Sequence, residues 1–90
     1  MAESMQIPVP ALILRKWILD TVARIARIAS EELQPEVLIR EELGIDSLKA
    51  MEIVATCEKE MRITIDERQL FDIRTVGDFL DLLEGIYQDK

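Results

Sequence analysis

The 90-residue sequence contains no histidine. This removes the commonest general base, the usual activator of a serine nucleophile and the commonest metal ligand. It contains one cysteine, Cys57, so neither an internal disulfide nor a cysteine-rich zinc site can form within the chain. Glycine and proline are scarce, three of each, and Pro8 and Pro10 both fall in the first ten residues, so little punctuates the chain after them. Basic side chains are outnumbered, 11 against 18 acidic, for a net charge of −7. That balance argues against a nucleic-acid binder and a ligand of anionic membrane surfaces. It suits a protein that meets basic partners, whose encounter electrostatics assists. No apolar run approaches the length of a membrane span. The opening MAESMQIPVPALIL lacks the positive region and long apolar core of a secretory signal. A lone cysteine fits a reducing, cytoplasmic setting.

What is present describes a small folded domain. Apolar residues make up 49% and charged residues 32%, a globular balance. Ninety residues correspond to one domain that buries only about 60–65% of the surface of its unfolded chain. Little room is left for both a scaffold and an enclosed catalytic cleft. The function classes that remain are binding modules, carriers and structural subunits, expected as monomers.

Residues 1–10 read as an extended lead-in, with a single domain over 11–90. Leu14, Ile18, Val22, Ile25 and Ala29 recur at helical steps, which predicts a first helix over about 11–28, with Trp17 flanking its stripe and Arg24 and Arg27 solvated or paired with loop acids. Pro35 blocks any continuation through Gln34. Residues 30–46 then form a long connection anchored by Leu33, Val37, Ile39 and Leu43. A second helix is predicted over about 47–61, with Ala50, Val54, Cys57 and Met61 on one stripe and Leu48, Met51 and Ala55 beside it. Ile63 and Ile65 alternate with polar residues, but no second strand is available to pair with them. A short helical turn around 67–71 fits better. Thr75 and Asp78 form a capping-box signature ahead of Val76, Phe79, Leu80, Leu83, Ile86 and Tyr87. The expected architecture is all-α: three main helices, one short helix and a long first loop.

Ser47 is the residue that could carry chemistry. It follows Gly44 and Asp46 and opens a helix, where free backbone N–H groups and the helix dipole would stabilise an attached phosphate. The plainer reading is that Asp46 or Ser47 caps the helix, since both rank high as caps. The surrounding string Glu42-Leu43-Gly44-Ile45-Asp46-Ser47-Leu48, followed by Lys49-Ala50-Met51-Glu52-Ile53-Val54, resembles the phosphopantetheine attachment motif of acyl carrier proteins. The resemblance extends along the chain. Glu31-Glu32-Leu33 is similar to the family's first-loop anchor, and Ile39 to its apolar residue eight before the serine. Met61, Ile63 and Ile65 are similar to the pattern closing its second helix, and Thr75-Val76 to the start of its last helix. No gap is needed between Ile18 and Tyr87.

The resemblance implies a four-helix bundle of the acyl-carrier type and no catalytic activity of its own. It implies that 4′-phosphopantetheine, taken from coenzyme A by a phosphopantetheinyl transferase, is attached covalently to Ser47, with Asp46 and Leu48 beside it. Acyl groups would ride as thioesters on the arm between a ligase, an acyltransferase and a ketosynthase. The absence of histidine is consistent with passive carriage, because any base must come from a partner. The same chemistry serves a peptidyl or aminoacyl carrier, and a carrier-like interaction subunit that never uses its serine stays open as a different class. The resemblance also makes Asp46, Glu52 and Glu58 a docking face, for which the plainer reading is a solvated surface. Lys49 on that face stands where many members carry an acid, and Lys59 adds a second positive charge. Asp66 stands where proline is frequent. Met51, Ile53, Val54 and Ile65 read first as core and, through the resemblance, as walls of an acyl-chain cleft. Cys57 reads as a small buried hydrophobe. Met1 at the start and an end soon after the last helix suit a discrete chain.

Overall fold

The computed structural model describes residues 10–89. The expected lead-in, apart from Pro10, lies outside them. Three α-helices carry the architecture: α1 (Ala11–Ala26), α2 (Ser47–Met61) and α3 (Val76–Gln88). A six-residue 3₁₀ helix, Glu67–Asp72, precedes α3 and is the short helix expected there. A further 3₁₀ turn, Ser30–Glu32, opens the long loop. The described residues hold no strand, only an isolated bridge between Leu38 and Thr75. The expected all-α architecture is observed, and α1 packs against both α2 and α3. Among the described residues no helix is long and apolar enough to cross a membrane.

The core follows the apolar stripes. Leu14, Ile18 and Val22 are buried from α1; Ile53, Cys57 and Met61 from α2; Val76, Phe79, Leu80 and Leu83 from α3. Ile63 and Ile65 are buried as well. They alternate inward as a strand would, yet the chain between α2 and the short helix pairs with no strand. Instead the Ile65 N–H donates to Glu58 Oε2 at 2.8 Å. Trp17 packs half-buried against the core. An ion-paired link joins α1 to α3, where Arg15 binds Asp81 at 2.9 Å and also Glu84.

Local chemistry sets the helix ends. Thr75 and Asp78 form the expected capping box. Asp66 accepts from the Arg68 N–H and, with Gln69, forms a second one. Aspartate at this position therefore starts the short helix through its carboxylate. The first helix stops two residues earlier than the periodicity predicts. Arg27 takes a left-handed conformation, φ 60° and ψ 47°, and the Ile28 N–H donates back to the Ala23 carbonyl at 3.0 Å. This six-to-one bond closes the helix. It leaves Ala29 past the helix end and exposed. Helix α2 ends the same way, with Arg62 left-handed at φ 57° and an Ile63-to-Glu58 bond of 3.1 Å.

The long loop is tied to the start of α3 by backbone hydrogen bonds, Ile39 to Arg74 at 2.9 Å, Val76 to Val37 at 3.0 Å and Gly77 to Pro35 at 2.8 Å. Gly77 is required by this approach, since a Cβ there would stand 3.0 Å from the Pro35 carbonyl oxygen. Leu33 is buried and Val37, Ile39 and Leu43 are half-buried, so the predicted anchors pin the loop that leads to Ser47.

Candidate functional site

The loop reverses just before α2. The Glu42 and Leu43 N–H groups both donate to the Leu38 carbonyl, and the Gly44 N–H donates to Arg40. Gly44 is left-handed at φ 68°, a conformation that costs an L-residue about 1–2 kcal/mol and glycine almost nothing. The turn drives Ile45 into the core and its N–H onto the Ile39 carbonyl at 3.2 Å. The next residue is thereby set at the helix entrance. Asp46 is extended and its carboxylate accepts from the Lys49 N–H at 2.9 Å.

That bond decides between the two capping candidates. Asp46 caps α2, and Ser47 is its first helical residue. The serine hydroxyl is exposed and is not consumed by a backbone cap. It lies in an open concavity of about 400 Å³ lined by Arg40, Gly44, Ile45, Asp46 and Ser47. Arg40 donates from Nη2 to Ser47 Oγ across a long 3.4 Å contact. Sequence reasoning missed Arg40 because loop side chains follow no period. A signal was nevertheless present, since Arg40 is the only basic residue between Arg27 and Lys49.

Around this entrance the surface is mixed. Leu48 is 79% exposed. Glu52 is exposed, and its carboxylate stands 3.7 Å from Lys49 Nζ. Leu48, Lys49 and Glu52 therefore share the first half of α2 with Ser47, and Asp46 caps it. Glu58 differs, because it is half-buried and its carboxylate holds the Ile65 N–H.

The core expectation for Met51 is corrected. Its side chain is 68% exposed. At about 100° of rotation per residue, Met51 sits roughly 100° from the inward line through half-buried Ala50 and buried Cys57 and Met61, which turns it toward solvent. Ile53 and Ile65 are buried and Val54 half-buried, as the core reading expected. Cys57 is fully enclosed, and burial pushes its thiol up to about 12, with a smaller push from Glu60. It is chemically inert at neutral pH.

Residues 16–83 match the family model described as the phosphopantetheine attachment site. The chain belongs to the acyl carrier protein family. It is 33% identical over 69 residues to the acyl carrier protein of Porphyromonas gingivalis, covering 77% of this chain and 88% of that one. Against the acyl carrier protein of a Cylindrotheca species it is 35% identical over 78 residues, covering 79% and 98%. Against that of Saccharopolyspora erythraea it is 38% identical over 55 residues, covering 61% and 58%. Acyl carrier proteins are carriers and not enzymes, and the group that this domain holds is phosphopantetheine. The start of α2 fits such a group. It offers a primary hydroxyl with no capping duty, an open concavity for a phosphate and free N–H groups at a helix N-terminus.

Proposed function

We propose that Ser47 is the attachment residue and that the chain carries acyl intermediates as thioesters on a 4′-phosphopantetheine arm anchored there. The carrying observation is the division of labour at the entrance to α2, where Asp46 caps the helix and leaves the Ser47 hydroxyl exposed. In the loading reaction Ser47 Oγ bonds to the phosphorus that bears pantetheine, the pyrophosphate bond of coenzyme A breaks, and adenosine bisphosphate leaves. The serine proton passes to a base of the phosphopantetheinyl transferase, since this chain has no histidine.

The domain, residues 11–90, works in the cytoplasm as a monomer and passes its cargo among a ligase, an acyltransferase and a ketosynthase. Asp46, Lys49 and Glu52 supply the charged part of the docking face, with Leu48 as its apolar part, and Glu58 stands farther along the same helix. Ile53, Val54 and Ile65 lie where they can flank a shallow acyl-chain cleft.

Intact mass after incubation with coenzyme A, Mg²⁺ and a transferase tests the site. The wild-type chain gains the mass of phosphopantetheine and Ser47→Ala gains none. Because Asp46 does the capping, the substitution changes stability by no more than about 0.5 kcal/mol, so its failure to load is not a failure to fold. Mass gain by Ser47→Ala would overturn the assignment. No gain by the wild type with several transferases would favour the interaction-subunit class.

A further inference from the structure

Arg40 has no carboxylate partner among the described residues, although Glu41, Glu42 and Asp46 surround it in sequence. Two of those acids are engaged elsewhere. Glu42 accepts from the Leu38 N–H at 2.7 Å, and Asp46 accepts from the Lys49 N–H. The guanidinium instead points at Ser47 Oγ from the rim of the open concavity. A hydroxyl is a weak reason for a lone cation to take that position, and the 3.4 Å contact is long for a hydrogen bond. A phosphate oxygen is a much better acceptor for a planar guanidinium fork.

We propose that Arg40 is a positioning residue that pairs with the phosphodiester formed on Ser47 and holds the root of the arm against the loop. The inference rests on the assignment of Ser47. Once Oγ becomes an ester oxygen, the two nonbridging oxygens lie one bond angle away from it. Arg40 Nη2, already 3.4 Å from Oγ, would be within reach of one of them, because the reversal at Gly44 and Ile45 holds the Arg40 loop beside the start of α2. Arg40 supplies the charge and the α2 N-terminus supplies N–H donors, so the phosphate is approached from two sides. The arm's first bonds are then restrained while its distal thiol remains mobile.

The test uses loaded wild-type protein and the loaded variants Arg40→Lys and Arg40→Gln. The phosphodiester ³¹P resonance is measured at low salt and at about 1 M salt, where the screening length falls to ~3 Å. At low salt the Arg40→Gln resonance is expected to be displaced from wild type, with Arg40→Lys between them, and the three converge at high salt. In the wild type the Arg40 Nε–H resonance shifts between unloaded and loaded forms. A merely structural arginine would give neither the salt-dependent order nor the shift on loading. Coincident ³¹P resonances for wild type and Arg40→Gln at low salt would overturn the pairing while leaving Ser47 intact. Failure of Arg40→Gln alone to load would place the residue in the transferase encounter and overturn the proposal as stated. Absence of mass gain in the wild type, or its persistence in Ser47→Ala, would bring down the Ser47 assignment and this inference with it.

Discussion

Met51 and Met61 lie on the same helix, one 68% exposed and the other 5%. The contrast divides α2 into two regions. Its first half presents Ser47, Leu48, Met51 and Glu52 to solvent and buries only Ile53, and its second half seals Cys57 and Met61 against the core, turns Glu58 to the following segment and leaves Lys59 and Glu60 exposed. A carrier needs both properties on one rigid element, one surface that partners can read and one that keeps the element in place. Residue type does not decide which half a side chain serves. A methionine and a glutamate occur in each, and their azimuth and neighbours assign the role.

The largest expected effect comes from breaking the sealed half. Met61→Ala removes a buried side chain beside Leu14 and Trp17 of α1 and leaves a cavity there, which costs about 2–5 kcal/mol. Met51→Ala removes an exposed side chain and changes stability by about 0.5 kcal/mol or less. Chemical denaturation of the two variants reads the difference directly. Equal losses would mean that Met51 is packed after all. The exposed half is then open to a second reading. Met51→Ala should weaken acyl transfer by a partner enzyme while leaving the midpoint of unfolding in place.

The glutamates give a smaller version of the same comparison. Glu58→Ala leaves the part-buried Ile65 N–H without its acceptor, a loss of about 1–2 kcal/mol. Glu52→Ala gives up only a 3.7 Å surface pair with Lys49, which contributes roughly 0–0.5 kcal/mol. Glu58→Gln should recover most of the loss, since the amide oxygen can accept the same bond. If Glu58→Ala and Glu52→Ala denatured at the same midpoint, the inward bond would contribute nothing to the fold.

How much of this was legible depended on whether the signal was periodic. Helix α3 could be read because Thr75 and Asp78 announce its start and Val76, Phe79, Leu80 and Leu83 mark one face, and all four are buried. The start of α2 was legible from Asp46 and Ser47, though only the geometry showed that Asp46 caps and Ser47 does not. The end of α1 was not legible, because the left-handed residue that closes it is Arg27 and not the glycine that usually marks such a turn. Met51 was misread because apolarity beside a stripe resembles apolarity on it. Arg40 and the inward bond of Glu58 depend on contacts across a loop and across a chain reversal. Sequence spacing carries no record of such contacts.

The smallest effect concerns the two ends of α2, where the same comparison reverses sign. Asp46→Ala removes the cap at the serine end and costs about 1 kcal/mol. At the other end Arg62 is held in the left-handed region at φ 57°, a conformation glycine adopts without a Cβ penalty. Arg62→Gly relieves that strain but gives the unfolded chain more freedom. The net is a gain of about 1 kcal/mol or less, which for a chain of this size corresponds to a rise in Tm of a few degrees. The substitution leaves the Ile63-to-Glu58 closure available, since only the backbone takes part. A fall in Tm would mean that the Arg62 side chain contributes more than its backbone strain costs. The sealed end of α2 would then depend on a surface contact as well as on its core, and the division between the halves would be less sharp than the two methionines suggest.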